Sequence, residues 1–453
     1  MVRRAAFLIA GDTLAALAAL SVAYFVRFGS APQMHDYSQL QLLGVVMFVV
    51  AQVSSSFLVE LYALSSESNK KELAIRIFVS LVVSFFILTA IFYLAEFAPY
   101  GRGILALALI MFGLLQFAWH LLNRTLYGLP WMSSRVLVLG TGPLARQIGN
   151  LIEKKNLNCQ LAGYVNCSAE PVMVPYHRII NSENGLFDAI KNVGAHKIVV
   201  SLSERRGMFP LQEMLSCKLS GIEVVDAPSF YEQMTGKLLL ENITPSWFIF
   251  SHGFQVTFAL RALKRMVDIF SSLIGLLIAL PFFPLIALCI KSDSPGPIFF
   301  RQVRVGEGER PFTLLKFRSM RQDAEKKSGA VWAVENDPRV TRFGEFLRKS
   351  RIDEIPQLLN VIRGDMSLVG PRPERPEFVD KLKEVIPYYS ERHYLKPGVT
   401  GWAQVSYPYG ASVEDAIEKL RYDLYYIKNI SLPFDVLIIL ETIKVVLFRR
   451  GGR

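Results

Sequence analysis

The sequence predicts a membrane protein of mixed α/β class: four N-terminal transmembrane helices, a Rossmann-like α/β domain, and a mainly helical third part with its own membrane-entering helix. Three observations lead there. Hydrophobic residues make up 51% of the 453-residue chain and charged residues only 20%, too apolar for disorder and unusual for a chain living wholly in water. Four apolar stretches of spanning length crowd the N-terminal part. Short apolar runs then alternate with amphipathic ones around a Gly-rich turn, the signature of βαβ units. The length by itself calls for two or three folding units.

The four apolar segments run approximately from Ala5 to Val26, Leu40 to Leu61, Leu73 to Ala95 and Gly103 to Tyr127. Each has about 20 residues or more, enough to cross a hydrocarbon layer, and they define a first domain over residues 1–130. A cleaved signal peptide fits poorly, because no small-x-small exit follows the first segment and three further segments succeed it. Arg3, Arg4, Lys70, Lys71, Arg76, Arg124 and Arg135 lie on one side of the alternating topology, against mainly Arg27 and Arg102 on the other. The positive-inside rule therefore assigns the N-terminus and everything after the fourth segment to the cytoplasm.

Residues 134–249 read as the α/β domain. RVLVLGTGPLARQIGNLIEKK contains a buried strand, a turn at Gly140 and Gly142, and an amphipathic helix. HKIVVSL and IEVVDA look like later parallel strands, with LFDAIKNVG and LQEMLSCKLSG as the helices preceding them. The turn reads GxGxxA with Ala145 in the third small position, which permits a dinucleotide with its pyrophosphate at the helix N-terminus. The candidate second strand ends in Asn166 rather than in an acid for a ribose hydroxyl, and no YxxxK dyad follows. A structural or regulatory domain is thus the favoured reading, with nucleotide binding through Gly140 and Gly142 as the alternative. The four cysteines, Cys159, Cys167, Cys217 and Cys289, have no CxxC or zinc-type spacing and read as free thiols.

The third domain covers residues 262–453. Its apolar run, about residues 266–291 with flanks, has spanning length, yet Pro281 and Pro284 interrupt it and Lys264, Arg265 and Lys291 flank it. Proline removes a backbone donor and clashes with the preceding turn. A kinked spanning helix and a hairpin returning to the same face both remain open; basic flanks at both ends favour the hairpin. The tail from Leu432 to Arg450 is amphipathic, ends in Arg449 and Arg450, and suits the membrane interface.

Lys and Arg exceed Asp and Glu by 50 to 39, a net charge of +11, compatible with anionic lipid, nucleic acid or phosphorylated substrates. Nucleic acid is disfavoured, because the basic runs sit beside membrane-entering segments. Some of these cations stand in special settings. Arg372 lies between Pro371 and Pro373, in a stiff loop suited to presenting a bidentate donor to phosphate. Asp353 and Glu354 are adjacent just before Pro356 and an apolar helical pattern, which puts them at or beside a helix N-terminus with Asp353 as a good N-cap. Arg348 and Arg351 lie within five or six residues of both. One small region could hold an anion, a cation and a carboxylate nucleophile. Lys316 and Arg318 of KFRSM are suitable phosphate donors, while His393 reads as structural. Trp402 and Gln404 of GWAQ are candidate contacts for a nucleoside, although an aromatic beside Gly401 suits core packing equally well.

The ordered runs KFRSM, RIDEIPQL, GDMSLVGPRP, KPGVTGWAQV and YDLYYIKNISLPFDVLI after an apolar hairpin resemble the bacterial sugar transferases known as monotopic phosphoglycosyl transferases, or polyprenyl phosphate hexose-1-phosphate transferases. The likeness runs from about Ala262 to the C-terminus. Four spans and a Rossmann-like domain ahead of it look like the enlarged members that start exopolysaccharide, O-antigen or capsule assembly, similar to undecaprenyl-phosphate glucose or galactose phosphotransferases. The resemblance implies transfer of a hexose 1-phosphate from a UDP-sugar, with UDP-glucose the expected donor, to undecaprenyl phosphate with release of UMP. It implies Asp353 as nucleophile forming an aspartyl phosphosugar, and Glu354 as ligand of Mg2+ or supporting acid. Arg348 and Arg372 then bind phosphate, and Pro284 breaks a re-entrant helix, with Phe283 where relatives often have Ser. It further implies the bacterial inner membrane with the catalytic domain facing the cytoplasm, contact with membrane lipid, a homodimer, and downstream glycosyltransferases as partners. Two rivals explain less. A sugar-nucleotide dehydratase or epimerase lacks its acidic ribose partner and Tyr/Lys pair, and a nonenzymatic assembly scaffold gives no reason for the grouping of Asp353, Arg348 and Arg372.

Overall fold

The computed structural model describes residues 2–29, 39–59, 61–63, 70–94, 101–127, 134–154, 159–167, 170–180, 185–202, 210–242, 251, 253–322, 337–407, 410 and 412–447. Two compact units divide the chain, Met1–Phe230 and Tyr231–Arg453.

The first unit opens with four apolar helices, α1 (Val2–Phe28), α2 (Gln39–Leu58), α3 (Lys70–Leu94) and α4 (Arg102–Tyr127). Apolar segments long enough to cross a membrane occupy α1, α3 and α4. The 20-residue α2 stops at Leu58, before Leu61, where a separate 3-10 turn, Leu61–Ala63, begins. Ala95, the expected end of the third segment, is outside the described residues. Small side chains let the helices approach: Ala16, Ala19, Ala23 and Ala108 are buried, and a Cβ on Gly11 would collide with the Trp119 ring. Large apolar side chains such as Phe25, Phe78, Phe86 and Leu114 face outward. Inside, the Asp12 carboxylate accepts from Tyr62 Oη at 2.9 Å and Gln116 Nε2 at 2.7 Å, and His120 Nε2 lies 3.2 Å away. A buried acid in an apolar bundle requires such partners.

The rest of this unit is a parallel sheet of five strands in the order β3-β2-β1-β4-β5: β1 (Ser134–Leu139), β2 (Cys159–Val165), β3 (Ile179–Ile180), β4 (Lys197–Val200) and β5 (Glu223–Asp226). Helices α5 (Pro143–Lys154), α6 (Leu186–Val193) and α7 (Leu211–Leu219) join them, and α8 (Ala227–Thr235) follows. The near-continuous apolar runs VLVL and IVV are buried, as expected for parallel strands covered on both faces. Ala145 is fully buried where α5 meets the sheet, and Gly140 takes a φ of +119° that only glycine adopts cheaply.

The second unit begins its long apolar element with α9 (Phe258–Ala279), capped by Thr257, whose side chain accepts from Leu260 N at 3.2 Å. A 3-10 turn, Leu280–Phe282, separates it from α10 (Phe283–Asp293). Pro281 falls inside this turn and Pro284 in the first turn of α10, where a missing N–H is tolerated. The 36 residues Phe258–Asp293 form one apolar element in which only Asp268, Ser272 and Ile290 are buried, and Phe270, Leu277, Ile278, Phe282 and Leu288 are exposed.

Both ends of this element grip the same folded body. On α9, Lys264 pairs with Asp435 at 2.6 Å, Arg265 donates to the carbonyls of Val361 and Ile362 at 2.5 and 2.7 Å, and Asp268 accepts from Leu368 N at 3.0 Å. At the other end, Ile290 packs with Phe317 and Leu347, and Asp293 accepts from Phe343 N at 3.0 Å.

That body contains an antiparallel hairpin of β6 (Phe299–Val305) and β7 (Pro311–Phe317), then α11 (Arg342–Lys349), α12 (Gln357–Arg363), β8 (Ser367–Val369), α13 (Pro376–Val385), β9 (Gly398–Thr400), α14 (Trp402–Ser406), α15 (Val413–Lys428) and α16 (Leu432–Leu447). Strands β8 and β9 pair in parallel. Its apolar core joins Val369, Leu382, Leu420, Leu424, Tyr426 and Ile438. α16 carries exposed Val436 and Ile443 opposite buried Ile438, so the helix is apolar on both faces rather than amphipathic as the sequence suggests; Arg449 and Arg450 lie outside the described residues.

One buried ion pair ties this core together. Arg392 donates to Asp423 Oδ2 at 2.7 Å, to Tyr389 Oη at 2.6 Å and to the Arg372 carbonyl at 3.1 Å. Removing one partner strands the other charge in a low-dielectric interior. Asp423→Ala is therefore expected to cost about 3–5 kcal/mol, read as a lowered thermal midpoint. The double variant Arg392→Met/Asp423→Leu should recover most of that loss.

Candidate active site

The site grows from the β7–α12 junction. Asn360, fully buried in the apolar run of α12, accepts from Leu315 N at 3.0 Å and donates to Thr313 O at 2.7 Å. Its amide thus satisfies the edge of β7 and fixes that strand against the helix. Lys316, one residue on, reaches the acids.

The helix before the acids, α11, starts at Thr341, whose side chain accepts from Gly344 N at 3.0 Å. Gly344 is required there, since a Cβ would strike the Ser319 carbonyl. After α11 the chain reverses through Arg351, a non-glycine residue at φ +54°, a conformation held only when its surroundings enforce it. Asp353 and Glu354 then occupy a 3-10 turn, Ile352–Glu354, with both side chains buried. This corrects the expected N-cap: α12 is preceded by Pro356, which caps nothing with a side chain. The acids sit one turn upstream because Pro356 and Gln357 already belong to the helix entry.

Glu354 is the hub. Its Oε1 accepts from Lys316 Nζ at 2.9 Å and from Arg372 at 3.4 Å, and its Oε2 faces Arg351 at 3.4 Å. Burial opposes its ionisation, but Lys316, Arg372 and Arg351 outweigh burial and hold its carboxyl well below the usual range. Asp353 moves the other way. Burial pushes it up from the ordinary carboxylate range, and the Glu354 charge adds to the rise, while Lys316, Arg348 and Arg372 restrain it. The two adjacent acids are thereby driven in opposite directions, Glu354 down by its cations and Asp353 up by burial.

The Arg372 loop is fixed from three sides. Gly370 N donates to Thr400 O and Gly398 N to Pro371 O, both at 2.9 Å, and Arg392 holds the Arg372 carbonyl. The guanidinium donates to Gln404 Oε1 at 3.0 Å as well as to Glu354. Arg348, in the last turn of α11, donates through Nε to Ser319 Oγ at 3.0 Å.

Asp353, Glu354, Lys316, Arg348 and Arg372 thus converge, with Gln404 behind Arg372. Two expected residues do not join them. Arg318 is buried and donates to the carbonyls of Ile290, Ser294 and Pro295 at 3.3, 2.6 and 3.0 Å. It closes the C-terminal end of α10, whose orphan carbonyls need donors. Trp402 is partly buried, donates Nε1–H to Gly236 O at 2.7 Å and packs against Tyr425 and Phe434, the core-packing arrangement that an aromatic beside Gly401 suits. His393 is buried, and desolvation pushes it down to about 4, as befits a structural residue. The Gly140–Gly142 turn holds the chain's own Glu170 carboxylate against Gly142, where a dinucleotide phosphate would have to approach.

Arg351, Asn360 and the Arg392–Asp423 pair contribute more than the sequence motifs indicated. Asn360 had a signal, a lone amide in an apolar helical run; Arg392 had none.

Among the described residues no cluster of three or more His, Cys, Asp and Glu could hold a metal by itself. Asp353 and Glu354 suit the mode in which Mg2+ is shared between one or two carboxylates and a substrate's phosphates.

Residues 259–449 match the family model for bacterial sugar transferases. The chain is 45% identical over 195 residues to the exopolysaccharide production protein PSS of Rhizobium leguminosarum bv. phaseoli, covering 42% of this chain and 98% of that one. It is 43% identical over 242 residues to the UDP-N-acetylgalactosamine-undecaprenyl-phosphate N-acetylgalactosaminephosphotransferase of Aeromonas hydrophila, covering 52% of this chain and 55% of that protein. It is also 42% identical over 187 residues to the UDP-glucose:undecaprenyl-phosphate glucose-1-phosphate transferase of Escherichia coli (strain K12), 40% of either chain. The match spans about half the length of the Aeromonas relative and nearly all of the Rhizobium one. The chain belongs to the bacterial sugar transferase family.

If Arg318 closes a helix end instead of meeting a substrate, Arg318→Met should cost about 2 kcal/mol of stability for the lost charged hydrogen bonds, read as a lowered thermal midpoint. An unchanged midpoint would return Arg318 to the solvent-facing donors.

Proposed function

We propose that the protein transfers a hexose 1-phosphate from a UDP-sugar to undecaprenyl phosphate, releasing UMP, as the first step of exopolysaccharide, O-antigen or capsule assembly. The single observation carrying this reading is the buried Asp353–Glu354 turn ringed by Lys316, Arg348, Arg351 and Arg372, taken with membership of the family. Names of relatives divide between glucose and N-acetylgalactosamine donors. UDP-glucose and UDP-N-acetylgalactosamine are therefore the first two donors to compare.

Asp353 attacks the sugar-bearing phosphorus, forming an aspartyl phosphosugar as the bond to UMP breaks. Its raised basicity makes it the better nucleophile of the pair, while Glu354 stays ionised and holds Lys316 and Arg372 in position. Arg348 and Arg372 counter charge growing on the phosphoryl oxygens, which a carboxylate attacking a diphosphate requires. A phosphate oxygen of the lipid then displaces Asp353. Magnesium held by Asp353, Glu354 and the donor's diphosphate would supply further neutralisation.

A re-entrant course for Phe258–Asp293 belongs to the proposal. The two ends of that apolar element dock on one body through α12 and β7, and Asn360 bonds those two elements directly. A helix crossing the bilayer would part its ends by about 30 Å, so returning to the entry face fits the docking better. The basic flanks support the cytoplasmic face of the inner membrane.

Asp353→Asn should abolish UMP release and the covalent phosphosugar adduct in intact-mass spectra of rapidly quenched enzyme; turnover without any adduct in the parent enzyme overturns the covalent route. Because Lys316 pulls the Asp353 pKa down, Lys316→Met should shift the acid limb of the kcat/KM profile to higher pH. An unshifted limb would detach Asp353 ionisation from the rate.

A further inference from the structure

Behind the acid turn lies a cavity of about 180 Å3. Its walls come from Ile355, Leu358, Val399, Val405, Val445 and Val446. Thr400 and Thr442 also line it, but their hydroxyls bond each other at 2.6 Å, and that of Thr442 lies 2.7 Å from Ile438 O. Arg351, Glu354 and Gln404 supply the polar end. The cavity is thus apolar at one end and continuous at the other with the residues around Asp353.

Two walls reach elements with exposed apolar side chains. Leu358 packs against Gly275, where a Cβ would come within 3.0 Å of its Cδ1, and Gly275 lies in the exposed apolar run of α9. Val445 and Val446 belong to α16, whose Ile443 is exposed. The volume is below the roughly 300–1,000 Å3 of pockets that enclose a whole drug-sized ligand. It lacks aromatic side chains for stacking a base, and its aliphatic and methyl surfaces suit branched hydrocarbon.

We infer that this cavity receives the first isoprene units of the polyprenyl phosphate acceptor, with Arg351 meeting the lipid phosphate as it approaches Asp353. The inference rests on the proposed function and adds where the acceptor enters: beneath α16, on the α12 side of the acids. Arg351 suits the role, because its left-handed backbone turns its guanidinium to the cavity while it pairs loosely with Glu354 at 3.4 Å. A phosphate arriving there exchanges one anionic partner of Arg351 for another.

The test uses the full-length protein in nanodiscs and a farnesyl phosphate carrying a diazirine on the isoprene next to the phosphate. Photolabel is expected on residues 399–405 and 442–446, displaced by undecaprenyl phosphate and retained with UMP. Displacement by UMP but not by undecaprenyl phosphate would make the cavity a nucleoside site and overturn the inference. Equal labelling by a diazirine phosphatidylcholine, or labelling confined to residues 263–288, would do the same. As a kinetic arm, Val445→Trp fills the cavity and should raise the acceptor KM about tenfold, with the donor KM unchanged; equal rises in both overturn the assignment. Should that variant fail to accumulate, labelling of the native chain decides. Labelling is read without turnover, so it stays separable from failure of the transferase reading, which the absence of UMP release from every UDP-sugar would signal.

Discussion

Everything at the reaction centre depends on keeping a buried carboxylate charged. Glu354 is almost excluded from water, and an isolated ion there would cost several kcal/mol. Lys316, Arg351 and Arg372 remove that penalty by coming from three separate segments: β7, the left-handed turn and the proline-bounded loop. Such convergence makes Glu354 an assembly point. Its charge gathers Lys316, Arg351 and Arg372 on one point, and the same charge adds to the rise in the pKa of its neighbour Asp353.

The arrangement explains why so much polar structure surrounds a small turn. Asn360 fixes β7 to α12, so Lys316 has one direction in which to extend. Arg392 and Asp423 fix the carbonyl of Arg372 from beneath, and Gln404 steadies its guanidinium. Asn360 bonds through both ends of its amide, and Arg392 reaches Asp423, Tyr389 and the Arg372 carbonyl, although its Nε and the Gln404 Nε2 are buried without a partner. Preorganised cations need no rearrangement as phosphate charge develops.

Much of the fold was legible from hydrophobic patterning. The four N-terminal helices, the parallel strands around VLVL and IVV, and the helical course of the tail follow from periods of 3.6 residues or from continuous apolar runs. The second helix was overextended because Val59 and Leu61 are apolar, yet the chain turns there into a 3-10 segment. At the site, adjacency exposed Asp353, Glu354, Arg348 and Arg351, and two prolines exposed Arg372. Arg318 and Trp402 misled for one reason: a motif position fixes neither the direction of a side chain nor its partner. Arg318 was spent on carbonyls of a distant helix end and Trp402 on Gly236, contacts set by tertiary packing. Asp353 looked like a cap because the stretch before a proline-started helix usually is one, whereas an extra turn intervenes.

Arg265 gives the exposed apolar element a rigid footing, because its guanidinium closes the last carbonyls of α12 at 2.5 and 2.7 Å. The helix α9 and the helix that follows the acid turn are thereby one lever. A displacement of α9 is passed directly to the acid turn, with no flexible tether between them to absorb it.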